Sequence, residues 1–368
     1  MSAHSESEEE QLPESDIKTG KLSDPEQRWA DQYEFLYSAG YQLRPRYRPG
    51  WKMSWNFGEY PDGEEDGIQP NFIQLHHLLD ATRMRDGVCV NMKRVKVDTN
   101  EIKISRFLWS EELRNDPRNH SVPLLDVLYD PADVEHAIIV MPLLRKVDDP
   151  YLISVREVME VMEQTLEGLV FMHEHKIAHR DCAFGNVMMD ARAMFPRGWH
   201  PQQYAFLPNG RSVLPTEKAS RTAAGGVRYY FIDFGISTQD ADSVTGIYCQ
   251  EPCPELSSTV PYNPYKLDIF IIGMSYKKSL LDENGRLEFL RPLVESMTKE
   301  APDERPSATE ALSQLREIKA KMSGRRLSQR LTPLEPESIW DRRIKDFRYQ
   351  IAEWWWYVKP HRKLRPFA

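Results

Sequence analysis

Between Val155 and Val170 the apolar residues Val155, Val158, Met159, Met162, Leu166, Leu169 and Val170 recur every three or four positions. That period predicts one long amphipathic helix through "SVREVMEVMEQTLEGLVFMHEH". Helical patterns continue in "YKLDIFIIGMSYKKSLL", "GRLEFLRPLVESMTK" and "SATEALSQLREIKAKM". Ahead of Pro150 the runs are shorter. "FIQLHHLLDATRM" and "VCVNMKRVKV" flank Asp86-Gly87, the dipeptide that lets a chain reverse between paired strands. "SVPLLDVLYD" and "EHAIIVMPLL" read as two further strands, the second apolar enough to be buried on both faces. "TNEIKISRFL" reads as a short helix with Thr99 at its N-cap. A strand-rich front followed by a helix-rich back predicts an α+β fold in two lobes.

The breaks in this pattern set the remaining boundaries. Residues 1–24 are rich in Ser and Glu and too poor in apolar side chains to offset the entropy of ordering. The acidic start also predicts no cleaved leader, since such leaders are basic. An aromatic extension follows, then "FGEYPDGEEDG", whose Gly, Pro and acidic density reads as a loop. Residues 191–228 form a weakly periodic insertion. No internal repeat is present. No apolar run approaches the roughly 20 residues that span a bilayer. Four cysteines without CxxC spacing predict free thiols in a reducing compartment, cytoplasmic or nuclear.

Charge changes the picture only at the end. From Lys319 onward 13 Lys and Arg face 5 Asp and Glu, so the tail carries +8 and the preceding chain −16 of the net −8. No nucleic-acid motif accompanies these cations, which leaves a tail able to dock an acidic surface, that of its own chain included. The triplet Trp354 to Trp356 reads as a packing element rather than a membrane anchor.

The chemistry is concentrated in "HKIAHRDCAFGNVMMD" and "RYYFIDFGIS". His179-Arg180-Asp181 with Asn186 five residues beyond the Asp supplies a carboxylate for a hydroxyl proton and an amide oxygen for Mg²⁺ on one turn. Asp233-Phe234-Gly235 then ends an apolar strand, where a carboxylate is well placed to hold the same metal. In this order the two motifs resemble the eukaryotic protein-kinase superfamily. The resemblance extends from roughly Phe72 to Leu315. "EPCPEL" resembles the element closing the activation segment, with Glu255 as its acid. "PYKLDIFIIG" resembles the helix whose Asp, here Asp268, ties down the catalytic loop. "PDERPSATEAL" resembles the turn whose Arg, here Arg305, pairs with Glu255.

The resemblance implies a bilobal protein-kinase-like fold with a small β-rich lobe at 72–144 and a larger helical lobe at 145–318 that carries the insertion. A disordered stretch at 1–24, an extension at 25–71 and the basic aromatic tail at 319–368 lie outside them. "VNMK" makes Lys93 the cation for the α and β phosphates, with Glu101 its ion-pair partner; Lys96 and the Glu111/Glu112 pair are the substitutes. Met141 and Leu144 would line the adenine pocket, Leu144 offering the backbone donor that Pro142 lacks. The implied ligands are ATP and Mg²⁺, with Asp181, Asn186 and Lys93 catalytic and Asn186 and Asp233 on the metal.

Two departures qualify the activity. No GxGxxG precedes Lys93; the nearest glycines, Gly58, Gly63 and Gly67, lie among five acids that repel triphosphate. Ala183 and Gly185 stand where the family carries a cation, which removes transition-state stabilisation unless the Arg-bearing insertion supplies it. The expectation is a protein kinase acting on a protein hydroxyl, Ser/Thr ahead of Tyr. The alternatives are a pseudokinase scaffold and a small-molecule phosphotransferase. Arg180 beside Asp181 could dock a phosphate on Ser237, Thr238, Ser243, Thr245 or Tyr248.

Overall fold

A computed structural model describes residues 18–59, 64–68, 77–210, 220–332, 338, 340, 343–349 and 351. The acidic start up to residue 17, Gly63, most of "FIQLHH" and the Trp354 to Trp356 triplet lie outside the described residues. The architecture is mixed α and β. The described residues within 1–96, 126–143 and 197–216 form one compact unit, and those within 97–125, 144–196 and 217–368 a second.

The first unit is built on a five-stranded antiparallel sheet. Helices α1 (Asp24–Asp31) and α2 (Tyr33–Ser38) precede strand β1 (Tyr41–Gln42), followed by β2 (Leu78–Arg83), β3 (Val88–Lys96), β4 (Asp126–Leu128) and β5 (His136–Pro142), in the spatial order β1-β2-β3-β5-β4. The β2–β3 hairpin turns at Asp86-Gly87 as the alternation predicts. Gly87 has φ 71°, and the Asp86 carboxylate accepts from the Arg83 guanidinium and the Val88 N–H. β5 is buried from Ala137 to Pro142, as its unbroken apolar run requires.

The N-terminal extension is docked on this unit by buried ions. Glu26 and Arg46, each 1% exposed, pair at 2.6 Å, and Arg46 also donates to the Asp66 carbonyl at 2.6 Å. Arg44 pairs with Asp80 of β2 at 3.2 Å, and Gln202 of the insertion donates to the same Asp80 at 2.6 Å. The connection from β1 to β2 is therefore a long excursion over residues 43–77, and its described part folds back onto the unit through these groups.

The second unit starts with α3 (Asn100–Leu108), which has Thr99 at its N-cap position, and centres on α4 (Val155–Glu174). The Ser154 side chain caps α4 by accepting from the Glu157 N–H at 3.3 Å. The apolar stripe read from the sequence is the buried face of α4. Three small sheets follow: β6 (Arg145–Lys146), β8 (Val187–Met189) and β9 (Tyr229–Phe231) in the order β6-β8-β9, β7 (Ile177–Ala178) with β10 (Thr238–Gln239), and β11 (Val244–Gly246) with β12 (Ser257–Tyr262). Helix α5 (Pro264–Tyr276) is predominantly apolar, with Leu267, Ile269, Ile271 and Ile272 fully buried and Asp268 the buried charge. A helix of that kind must run through a core. Helices α6 (Arg291–Met297) and α7 (Ala308–Ala320) complete the unit, the latter started by a reciprocal Ser307/Glu310 capping box.

The stretch expected as one strand in "SVPLLDVLYD" divides. Val122 N–H donates to Phe231 of β9 in the second unit at 2.9 Å, whereas Asp126–Leu128 pairs with β5 in the first. Pro123, without an N–H, falls between the two pairings. Among the described residues no helix is long and apolar enough to cross a membrane.

Candidate functional site

The segment from His179 to Asn186 is a loop held from beneath. Asp268, placed by α5 in the core and 0% exposed, accepts from the backbone N–H of His179 at 2.9 Å and of Arg180 at 2.6 Å. Its carboxylate also meets His173 Nε2 at 2.9 Å. A buried carboxylate with three donors is stable where it is, and it fixes the backbone it binds. The His179 ring adds a second tie, Nε2 lying 3.0 Å from the Ile232 carbonyl. Arg180 has φ 68°, a left-handed conformation that costs a branched-out side chain roughly 1–2 kcal/mol. Such strain persists only where surrounding bonds over-determine it, and it clusters at working sites.

On this base stand Asp181 and Asn186. The Asn186 Nδ2 donates to the Asp181 carbonyl at 2.9 Å and to its carboxylate Oδ2 at 2.8 Å. With the amide nitrogen so committed, Asn186 Oδ1 faces away from Asp181 and is the oxygen left to bind a cation. The neighbouring strands carry the next carboxylate: Val187 of β8 pairs with Phe231 of β9, and the Ile232 N–H donates to the Asn186 carbonyl at 3.0 Å. Asp233 follows with φ 63°, a second left-handed non-glycine residue. Its Oδ1 accepts from the Gly235 N–H at 3.2 Å. Gly235 is also where Glu101 arrives: a β-carbon there would lie 3.1 Å from Asp233 Oδ1 and 3.6 Å from Glu101 Oε2. Two carboxylates of the second unit thus converge on one glycine. Among the described residues no three His, Cys, Asp or Glu side chains form a metal cluster. The donor set of Asn186 Oδ1 with Asp233 suits a hard cation that completes its shell with water and phosphate oxygens.

The Asp181 carboxylate has a further occupant. Gln250 donates to it twice, through its backbone N–H to Oδ1 at 2.7 Å and through Nε2 to Oδ2 at 3.0 Å. Gly185 makes room for it, since a β-carbon at Gly185 would lie 2.2 Å from Gln250 Oε1. The glycine that stands where a cation was expected therefore has a steric use. Sequence reasoning missed Gln250; the one signal was a glycine at 185, in a short 3-10 turn (Phe184–Asn186) whose backbone there is not left-handed and so does not itself require glycine.

Arg180, expected as a cation able to dock a phosphate, is engaged by protein oxygens in this structure. Its guanidinium donates to the carbonyls of Ile236 and Thr245, each at 3.1 Å, and to the Tyr262 hydroxyl at 3.2 Å. Ser237 is 2% exposed and its hydroxyl donates to the His179 carbonyl, so it is structural in this state. Farther out, Arg305 forms a two-pronged pair with Glu255, Nη2 to Oε2 at 2.9 Å and Nη1 to Oε1 closer still. The guanidinium stacks 4.5 Å from the Phe270 ring centroid, anchoring the end of the segment to α5. Cys182 lies at 0% exposure with its thiol on the Asp268 carbonyl, and burial pushes its pKa well up, so it is no nucleophile.

In the sheet unit, Lys93 lies on β3 between Leu78 of β2 and Ile139 of β5 and is 8% exposed. It belongs to a central strand, not an edge, whereas Lys96 ends β3 exposed. Burying a lysine in a sheet is costly and is sustained only with polar partners. Met141 is buried on β5, paired with Asn91; Leu144, where the chain re-enters the second unit, is also buried. No family model matches the chain, and comparison with curated proteins gives no match.

Proposed function

We propose that this chain is a divergent member of the protein-kinase superfamily, a bilobal ATP- and Mg²⁺-dependent kinase that phosphorylates a protein hydroxyl. The observation that carries the reading is the Asp181–Asn186 pair, locked by two hydrogen bonds on a loop that a buried aspartate pins, beside a strained Asp233. A scaffold has no use for this combination. The hydroxyl donates its proton to an Asp181 carboxylate oxygen; its own oxygen bonds to the γ-phosphorus as the bond to the β–γ bridging oxygen breaks and ADP departs. Asn186 Oδ1 and Asp233 are the groups that would hold Mg²⁺, which when bound neutralises phosphate charge. Lys93 is the cation assigned to the α and β phosphates, with Glu101 as its partner in this reading; Met141 and Leu144 are the adenine-side residues.

The Glu255–Arg305 pair and the Asp268 tie support the same reading, because they stabilise a loop and a segment without touching substrate. The scaffold alternative is favoured by one feature: residues 43–77 join β1 to β2 where a short glycine loop would cover phosphate. The two readings part in one experiment. Transfer of labelled phosphate from ATP with Mg²⁺ to protein is expected for the wild type and lower by about 10²-fold or more in Asp181→Asn and Asp233→Ala. Stabilisation by Mg-ATP without transfer establishes the scaffold instead. No transfer and no stabilisation removes the kinase and the nucleotide-binding scaffold, leaving a scaffold that binds partners.

A further inference from the structure

Cys249 and Cys253 stand out among the four cysteines. Their sulfurs lie 3.6 Å apart, and both thiols converge on the Glu251 carbonyl, at 2.6 and 3.2 Å. Cys182 is buried, and desolvation pushes both the Cys182 and Cys89 thiols up in pKa, which keeps them protonated and weakly nucleophilic. Between the close pair sits Gln250, whose backbone and side chain both donate to Asp181. Glu251 is held in turn by Lys278 at 2.6 Å. The turn 249–253 thus presents a glutamine to the catalytic candidate and carries a thiol at each end.

We propose that Cys249 and Cys253 form a redox-modification site whose disulfide clamps Gln250 onto Asp181 and closes the site. The inhibitory consequence rests on the phosphotransfer reading; the thiol chemistry does not. Closing the present gap to a bond of about 2.05 Å needs a shift of about 1.5 Å, within reach of side-chain rotation in a turn. Cys249 is the attacking group. It is partly exposed, and the hydrogen bond from Cys253 outweighs burial to hold its pKa below the ordinary thiol value. The Cys249 sulfur attacks a hydroperoxide; the O–O bond breaks, leaving a sulfenic acid and water or alcohol. The Cys253 sulfur then attacks that sulfur, the S–O bond breaks, and hydroxide leaves with the Cys253 proton as water. Two electrons pass from the thiols to the peroxide. In the disulfide the turn can no longer open, so the Gln250 donors stay on the carboxylate that a substrate hydroxyl must reach. A thiol reductant reverses the step.

The test uses the full chain treated with hydrogen peroxide and then alkylated. No Lys or Arg lies between residues 229 and 265, so one tryptic peptide ending at Lys266 carries both cysteines. The expected product is that peptide lighter by two hydrogen atoms and closed to alkylation, while Cys89 and Cys182 keep their thiols. Amide exchange at Gln250 should slow at least tenfold on oxidation and recover with dithiothreitol, a readout independent of catalysis. Phosphate transfer should fall in parallel in the wild type, should be insensitive to peroxide in Cys249→Ser, and should fall less in Gln250→Ala, which keeps the backbone donor to Asp181 and loses the side-chain one. A dithiol peptide after peroxide, or sulfinic acid at Cys249 without a disulfide, overturns the proposal. A disulfide with unchanged exchange at Gln250 overturns the clamp. If the disulfide forms and exchange slows but neither state transfers phosphate, the modification site stands and the kinase reading falls.

Discussion

Asp181 and Asp268 are the same chemical group in the same compact unit, each bound by several N–H donors, and they are built for opposite purposes. Asp268 is 0% exposed, and two of its donors are backbone groups of a loop that has no other place to go. Asp181 is partly exposed. Its Asn186 partner is fixed by the same loop, but its Gln250 partner comes from a separate turn and lies on the solvent side. A carboxylate whose donors cannot leave is architecture. One with a displaceable donor is a site with its occupant in place.

Removing each group in turn separates these roles, and the effects on unfolding decrease in a set order. Asp268→Ala leaves the His179 and Arg180 N–H groups and His173 without their buried acceptor. Loss of one side of a buried charged network costs about 3–5 kcal/mol, so the urea midpoint should fall with the slope unchanged. A cost below about 1 kcal/mol would show that the tie is not needed. Arg305→Ala strands Glu255, which is 7% exposed as a side chain, and should cost about 3 kcal/mol. Arg305→Lys should recover only part of that, because a single ammonium cannot reproduce the two-pronged geometry; full recovery would refute the argument. Asp181→Asn keeps size and most donors' positions, so stability should stay within about 1 kcal/mol. Its phosphate transfer should nevertheless fall about 10²–10⁴-fold. Gly185→Ala should change stability least, since Gln250 Oε1 is the end of a flexible side chain and can yield. It should speed amide exchange at Gln250, and unchanged exchange would mean that the contact does not hold the turn.

What the sequence made legible follows from where its signals are local. The Asp86-Gly87 hairpin and the stripe of α4 are written in adjacent residues, and both appear at the expected positions. Asp268, Glu255 and Arg305 were found through motif order, and their bonds to the loop and to each other are present. The rest depends on where distant segments meet, which hydrophobic period does not encode. Residues 121–130 read as one strand because Val122, Leu124, Leu125, Val127 and Leu128 supply a nearly continuous apolar run, yet the chain gives 122 and 126–128 to different sheets. Gln250 is an ordinary polar residue in a polar turn until Gly185 is seen beneath it. Arg180 reads as able to dock a phosphate, and no sequence pattern announces that three backbone and hydroxyl oxygens meet it. Cys249 and Cys253 lack CxxC spacing and have no second cysteine pair or His cluster in the sequence to complete a zinc site, and they meet because the turn folds them together.

The most direct measurement of the central claim is labelled-phosphate transfer from Mg-ATP by wild type and Asp181→Asn, each run beside its own urea unfolding curve under reducing conditions. The expected result is transfer by the wild type at least about 10²-fold above Asp181→Asn, with the two unfolding curves nearly superimposed. Equal incorporation by the two proteins, or none by either, would contradict the assignment of phosphoryl transfer to Asp181.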